Sequence, residues 1–305
     1  MIGLGIGVPI AVIGGVILTF FLSSPNPDTE LASIETRELP EAWLQEPLDE
    51  PSPSEATVPD AVPEEAAAPS LENLGLPIHG TLVMRTNDRP FGEETFQLAL
   101  EGDRAILSST GTFWLRALVA TITVSFNQIL SLDSQLCPQV FSSNFDAPLG
   151  FSRDMQAEFE ETQAVIHSGD DVTEFSVAVN RAVVLGTFST YAIVPLLYEL
   201  RQLEGIATFD VLVFGGPPNQ DEEDAGQGLP EMRVQKIDDG IIRFDDQVLS
   251  VAQYQISGDV GDMTLYARGV ELLGLHAGNG DESLFVYRAD YFENGFEVVE
   301  PVSSE

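Results

Sequence analysis

Side chains that could act as a nucleophile, a base or a metal ligand are few and widely separated in this sequence. The histidines are His79, His167 and His276, and Cys137 is the one cysteine. Nucleophilic catalysis needs a nucleophile beside a base, and no Gly-x-Ser-x-Gly turn presents a serine. Zinc sites use three or four His or Cys ligands, often closely spaced. We therefore predict that the chain is not an enzyme, with no catalytic residue, no zinc site and an inert thiol. A carboxylate-based hydrolase of envelope polymers is kept as a third alternative.

Acidic side chains are densest in the run Asp221 to Asp224, which lies between Gly-Gly-Pro-Pro and Gly-Gln-Gly. Calcium takes six to eight oxygen ligands from a shaped loop, and this run lacks the Asp-x-Asp-x-Asp-Gly spacing. The pattern favours a solvated hairpin tip over a calcium site. We predict no metal and no cofactor.

The charge of the chain excludes one large class of partner. Its 49 acidic and 13 basic residues give a formal charge of −36. Nucleic-acid binding draws its affinity from clustered Lys and Arg, and docking on anionic lipid needs a basic patch. We therefore exclude nucleic acid as a partner. With 44% hydrophobic residues and 18 Phe, most of the chain can still build a core.

The elements that would position any site begin with an apolar N-terminal segment. Ile2 to Leu22 carries no charge, and as a helix it would be about 31 Å long, the thickness of a hydrocarbon core. A signal peptide is the alternative, but the basic n-region and an Ala-x-Ala-like cleavage site are missing. Residues 1–22 are therefore predicted to be a single-pass transmembrane anchor in the inner membrane of a bacterium, with the rest of the chain extracytoplasmic, in the periplasm.

Residues 23–79 have the composition of a linker. They hold 10 of the 19 prolines and 13 acidic residues, with Arg37 as the one base. Such a stretch cannot bury enough apolar surface to offset the entropy lost on ordering. It is predicted to be a disordered tether. Glu38 to Leu48 is either a short helix that docks on another surface or a transient turn.

Residues 80–305 are predicted to form one extracytoplasmic β-rich domain. Apolar and polar residues alternate from Ala120 to Phe126, from Glu174 to Val179 and from Met263 to Tyr266, which is typical of half-buried antiparallel strands. Turn residues separate such runs. They include Glu101-Gly102-Asp103, Ser168-Gly169-Asp170-Asp171, Asp238-Asp239-Gly240 and Ser257-Gly258-Asp259.

One stretch departs from the alternation. Ser189 to Leu203 places Ile193, Leu196, Leu197, Leu200 and Leu203 at helical spacing and is followed by Gly205. Since an apolar sheet face must be covered, the predicted fold class is mainly β. It consists of a strongly curved antiparallel sheet, a half-barrel, that wraps this one helix, with the N-terminal transmembrane helix outside it.

The order of these features resembles a known group of proteins. It runs from a strand at Gly80-Thr81-Leu82-Val83 to a long strand from Thr112 to Leu132 ending near Leu136-Cys137-Pro138. The helix Tyr191 to Leu203 and the closing segment Tyr287-Arg288-Ala289-Asp290-Tyr291-Phe292 follow. This order resembles the half-barrel envelope proteins around the lipoprotein carriers LolA and LolB and the DUF3108-like families. The resemblance implies an open barrel whose concave face holds a helix or a lipid-like ligand. It matches no carrier residue, so lipoprotein transport does not follow from it.

A helix in the mouth of a curved sheet would create an apolar pocket. The candidate ligand-binding residues are Phe126, Tyr191, Leu197, Tyr198, Phe209 and Tyr254; each of them could instead fill the core. The leading hypothesis is a membrane-tethered envelope protein that binds a hydrophobic ligand, such as a lipid, or a segment of an envelope protein partner. The alternative is a structural scaffold of the cell envelope with a filled core.

Overall fold

The structure, a computed structural model, describes residues 37–40, 75–86, 89–117, 120–147, 152–186, 200, 205–214, 229–245, 247–278 and 283–299. These residues are almost entirely β-strand. The strands are β1 Ile78–Thr86, β2 Arg89–Glu101, β3 Arg104–Ala117, β4 Ala120–Leu132, β5 Pro138–Asp146, β6 Arg153–Glu160, β7 Gln163–Ser168, β8 Asp171–Ser176, β9 Ala182–Gly186, β10 Ile206–Phe214, β11 Glu231–Phe244, β12 Gln247–Gly258, β13 Met263–Arg268, β14 Glu271–Ala277, β15 Leu284–Arg288 and β16 Glu297–Val299. A short 3-10 turn at Val179–Arg181 precedes β9.

All sixteen strands belong to one sheet built from two meanders. Strands β1 to β8 pair in chain order, β10 to β15 pair in chain order, and β1 joins the two sets by pairing with β15. Every described pairing is antiparallel except that of β9 with β10. The edges of the sheet are β8 and β9, and β16 adds to β11 beside the main path.

Alternation along the strands builds the larger of two cores, here called the inner cluster. In β4 the buried side chains include Val124, Phe126 and Leu130, and the residues between them face solvent, as the twofold repeat of a strand dictates. The inner cluster draws residues from β1 to β15, including Phe141 of β5 and Val183 of β9. Strands β5 and β9 are not sheet neighbours, yet they contact each other. The apolar face is therefore covered by other strands of the same sheet.

Bulges create a second core, the outer cluster, on the opposite face. In β11 the even-numbered Met232 and Val234 lie in the inner cluster, whereas the even-numbered Ile242 lies in the outer cluster. Between them the register with β12 shifts at Lys236 to Asp239. One extra residue in a strand turns all later side chains to the other face. The predicted turn at Asp238-Asp239-Gly240 is therefore wrong: these residues lie within β11, next to the bulge. The turns at Gly102, Gly169 and Gly258 are confirmed.

The predicted fold class needs correction. The sheet is open, and in the described residues its apolar face is packed by strands of its own, so the strongly curved half-barrel that wraps one helix is wrong. Of the segment Ser189 to Leu203 only Leu200 is described; its backbone is helical and its side chain is buried in the inner cluster. The predicted long strand from Thr112 to Leu132 is two strands, β3 and β4.

The N-terminal transmembrane helix of the predicted fold class is not among the elements that the structure describes. No helix within the described ranges is long and apolar enough to cross a membrane. The predicted transmembrane segment, residues 2–22, lies outside the described residues, as do Asp221 to Asp224 and most of residues 23–79. The boundaries predicted for the anchor, linker and domain stay predictions.

Candidate functional site

Four polar side chains are buried in the middle of the inner face of the sheet. They are Glu94 on β2, Ser109 on β3, Gln128 on β4 and Ser143 on β5, all less than 7% exposed. Each takes an inward position within the apolar alternation of its strand: Gln128 lies between Phe126 and Leu130. Burying polar groups in an apolar core costs free energy unless they are hydrogen-bonded. This set, the polar row, therefore depends on hydrogen bonds to be stable in the core.

The strand register places the polar row in one line across the sheet. Ser109 lies opposite Gln128, and Gln128 lies opposite Ser143. The residue of β2 opposite Ser109 is Phe96, and Glu94 lies two residues before it on the same face of the strand. Glu94 still joins the row, because the Oγ of Ser109 donates a hydrogen bond of 2.7 Å to its Oε1. With strands about 4.8 Å apart, the row spans about 14 Å.

The row leaves one polar atom unsatisfied. The Nε2 of Gln128 donates to the Oγ of Ser143 at 3.2 Å, while its Oε1 is buried without a hydrogen-bond partner among the described residues. A reversed amide would give Oε1 the hydroxyl of Ser143 and leave Nε2 unsatisfied instead. A group that can both donate and accept a hydrogen bond, such as a hydroxyl, would satisfy either orientation.

Aromatic rings form a wall beside the polar row, on the side of Phe126. Phe113 stacks on Phe126 at 5.4 Å between ring centroids and on Phe91 at 6.2 Å. Glycines permit this approach: a Cβ on Gly111 would lie 2.5 Å from the ring of Phe126, and a Cβ on Gly92 would lie 2.6 Å from that of Phe113. The wall offers an apolar surface beside the polar row.

The ligand-binding residues predicted from the sequence are placed only in part. Phe126, Phe209 and Tyr254 are buried in the inner cluster, whereas Tyr191, Leu197 and Tyr198 lie outside the described residues. A role in ligand binding stays a prediction for all six. The polar row was missed, although Gln128 interrupts the apolar alternation of β4 in the sequence itself.

A second cluster of polar groups surrounds Arg288 at the end of β15. The Nε and Nη2 of Arg288 donate to the two carboxylate oxygens of Asp290, and its Nη1 donates to the Oε2 of Glu271 at 3.0 Å. The guanidinium lies 4.4 Å from the ring centroid of Tyr291 and 5.1 Å from that of Phe96. Because Arg288 is fully buried, its charge has to be compensated by these neighbours.

Tyr291 is the titratable group most affected by this cluster. Its hydroxyl donates to the Oε2 of Glu271 at 3.0 Å. Burial and, after it, the negative charge of Glu271 raise the pKa of Tyr291 to about 12. The phenol is therefore neutral at physiological pH and acts as a hydrogen-bond donor and an aromatic surface.

A residue of the predicted linker reaches this cluster. The backbone N–H of Arg37 donates to the carbonyl of Asp290 at 2.7 Å, and the Nη1 of Arg37 donates to the carbonyl of His79 at 2.9 Å. The same Nη1 lies 3.8 Å from the Oδ2 of Asp290. Two residues later, Leu39 packs against the outer cluster.

An open pocket of about 450 Å³ lies beside the outer cluster. Phe244, Phe285 and Phe296 supply apolar surface, Arg85 and Arg243 supply positive charge, and Asp245 and Glu297 supply negative charge. The Nη1 of Arg85 donates to the carbonyl of Asn294 at 3.1 Å. The two acidic and two basic side chains give the pocket no net charge. Its charge therefore does not favour either an anionic or a cationic ligand.

The described residues contain no group of three or more His, Cys, Asp or Glu side chains that could hold a metal ion. His79 on β1 and His167 on β7 lie in the first meander, and His276 on β14 lies in the second. Cys137 is half-buried just before β5. The expectation that the chain is not an enzyme stays a prediction.

No protein-family model matches the chain, and no curated protein matches it. Among solved structures, it is similar to a β-barrel-like protein of domain of unknown function DUF1849 from Brucella abortus, with 9% identity and a TM-score of 0.47 over 73% of this chain and 98% of that one. It is also similar to a DUF1089 family protein from Pseudomonas aeruginosa, with 12% identity and a TM-score of 0.38 over 59% and 86% of the two chains.

Of the resemblance to LolA, LolB and the DUF3108-like families, only a single β-rich sheet is seen in the described part of this chain. The DUF1849 neighbour is described as β-barrel-like. Neither of the two neighbours is a named lipoprotein carrier. The activity of the chain has to be argued from its own residues.

Proposed function

We propose that the chain is a membrane-tethered envelope protein whose β-domain binds an apolar molecule with a hydroxyl head. The head group would lie at the polar row and the apolar body against the aromatic wall. The observation that carries this proposal is the unsatisfied amide of Gln128, buried between Phe126 and Leu130. A core that only had to be stable would use an apolar residue there, because each unsatisfied polar group costs about 1 to 3 kcal/mol.

The location in the cell is part of the same proposal and rests on the sequence. The 21 uncharged residues from Ile2 to Leu22 support an inner-membrane anchor, and the acidic, proline-rich linker supports an extracytoplasmic position for the domain. A lipid is then the ligand class at hand, since a domain held beside a bilayer meets apolar molecules with polar heads.

The polar row permits a direct test of ligand binding. In full-length protein purified in detergent, Gln128→Leu should weaken binding of tetradecanol about tenfold, because one or two hydrogen bonds to the hydroxyl are lost. The variant should unfold at the same or a higher denaturant concentration, since it removes an unsatisfied group. Gln97→Leu, at an exposed position on β2, is the matched control and should leave binding unchanged. Equal affinity of the parent protein for tetradecanol and tetradecane would contradict the proposal.

The second candidate function is a structural scaffold. It is favoured by the two clusters, which the sheet and its C-terminal segment pack with their own side chains. In a scaffold, Gln128→Leu would stabilise the domain, and neither the parent nor the variant would bind tetradecanol. Native mass spectrometry of the purified full-length chain, with analysis of retained lipid, provides an independent comparison of the two functions.

A further inference from the structure

Arg37 to Pro40 of the predicted linker contacts the folded domain through several kinds of interaction. The backbone of Arg37 bonds to that of Asp290, its guanidinium bonds to the carbonyl of His79, and it lies 5.9 Å from the ring centroid of Tyr291. Leu39 adds an apolar contact with the outer cluster. A backbone bond, a charged group and an apolar side chain are the elements of short-peptide recognition.

Charge complementarity makes the contact specific. The described groups at the Arg288 site comprise one positive charge and the two negative charges of Asp290 and Glu271, so one negative charge remains. Arg37 supplies the missing positive charge, 3.8 Å from Asp290. It is also the one Lys or Arg among the first 84 residues of the chain, so no other linker residue carries a permanent positive charge.

We propose that Arg37 to Pro40 is a docking motif that clamps the linker, in cis, to the surface formed by His79, Asp290, Tyr291 and the outer cluster. The partner that this surface fits is an Arg-x-Leu peptide, and the occupant is the linker of the same chain. This inference is independent of any ligand at the polar row.

Docking changes how far the domain can move from an anchor. With residues 2–22 in a membrane, the free linker shortens from residues 23–77, which precede β1, to residues 23–36, that is, from 55 to 14 residues. For a flexible chain the root-mean-square reach falls from about 40 Å to about 20 Å. The domain would then lie close to the bilayer instead of sampling the space away from it.

Trypsin provides a site-specific test in the full-length protein. It cleaves after Arg and Lys, so Arg37–Glu38 is the one susceptible bond before Arg85. When the segment is released and docks again faster than trypsin cleaves it, the cleavage rate follows the fraction of molecules in which the segment is released. Leu39→Ser keeps the bond but removes the apolar contact, and it should raise the cleavage rate about tenfold or more. Cleavage after Arg85, in β1, serves as the internal measure of domain unfolding and should stay slow.

A matched control and two further outcomes complete the test. Leu48→Ser, a similar change farther along the linker, should leave the rate at Arg37 as in the parent. Equal rates for the parent and Leu39→Ser would overturn the proposal. Protection that increases with protein concentration would also overturn it, because the occupant would then be the linker of a second copy.

Discussion

Arg288 and Asp290, two residues apart, form a bidentate ion pair in which both side chains are almost fully buried. The Nε to Oδ1 distance is 2.8 Å and the Nη2 to Oδ2 distance is 2.7 Å. Asp290 also accepts a hydrogen bond from the backbone N–H of Thr81 on β1. The pair therefore links the end of β15 to the strand that joins the two meanders.

Removing one member of this pair should destabilise the domain strongly. Asp290→Ala leaves the buried charge of Arg288 with Glu271 as its remaining ionic partner in the described structure, and breaking a buried pair costs about 3 to 5 kcal/mol. Urea denaturation should show this loss. Arg233→Ala removes the exposed pair with Glu231 and should cost at most about 1 kcal/mol. Equal losses in the two variants would show that burial does not set the importance of the Arg288 pair.

The aromatic wall should depend on the glycine beneath it. In Gly111→Ala the new Cβ would contact the carbonyl of Glu93 and lie 2.5 Å from the ring of Phe126. Forcing extra volume into a packed core costs about 1 to 3 kcal/mol, so the thermal midpoint should fall. Thr110→Ala, at an exposed position on the same strand, should change it little. An unchanged midpoint in Gly111→Ala would mean that Phe126 is free to move.

The pKa of Tyr291 gives a prediction about pH. The pKa of this phenol is about 12 in the folded state and about 10 in an unfolded chain. The folded state therefore holds the phenol proton more tightly than the unfolded chain does. The contribution of Tyr291 to the free energy of unfolding is complete below pH 10 and is lost as the pH rises towards 12. In Tyr291→Phe the free energy of unfolding should therefore depend less on pH between about 10 and 12. The tyrosinate absorbance of the parent minus that of the variant should titrate near 12; a midpoint near 10 would contradict the buried hydrogen bond to Glu271.

The anchor can be tested by deletion. Removing residues 1–22 should move the protein from the membrane fraction to the soluble fraction, because the uncharged segment supplies the apolar area for insertion. Immunoblots of fractionated cells measure this. Full-length protein that is already soluble after lysis, or a mature N-terminus beyond residue 22, would disprove the anchor.

Part of the strand pattern could be predicted because it is local. The alternation in Ala120 to Phe126 and in Met263 to Tyr266 appears as strands β4 and β13. The prediction failed where an extra residue changes the face of a strand: Asp238-Asp239-Gly240 has the composition of a turn, but it follows a bulge within β11. A bulge depends on the partner strand, and the partner is not visible in a local pattern.

The candidate site shows the same limit. Phe126 was selected for its size and spacing, and it lies beside Gln128 in the inner cluster. Gln128 interrupts the apolar alternation of β4, but a single interruption does not show which side chains surround it. It becomes significant only because β3 and β5 place Ser109 and Ser143 opposite it and leave one of its amide atoms without a partner.

The sequence by itself determined the acidic charge, the apolar segment from Ile2 to Leu22 and the strand-forming alternation, because composition and a period of two are properties of neighbouring residues. The tertiary structure alone decided that β1 pairs with β15, more than 190 residues later, and that Arg37 contacts Asp290. Such contacts depend on the folded path of the whole chain, since forming them requires loop closure that only the combined burial of both clusters can offset.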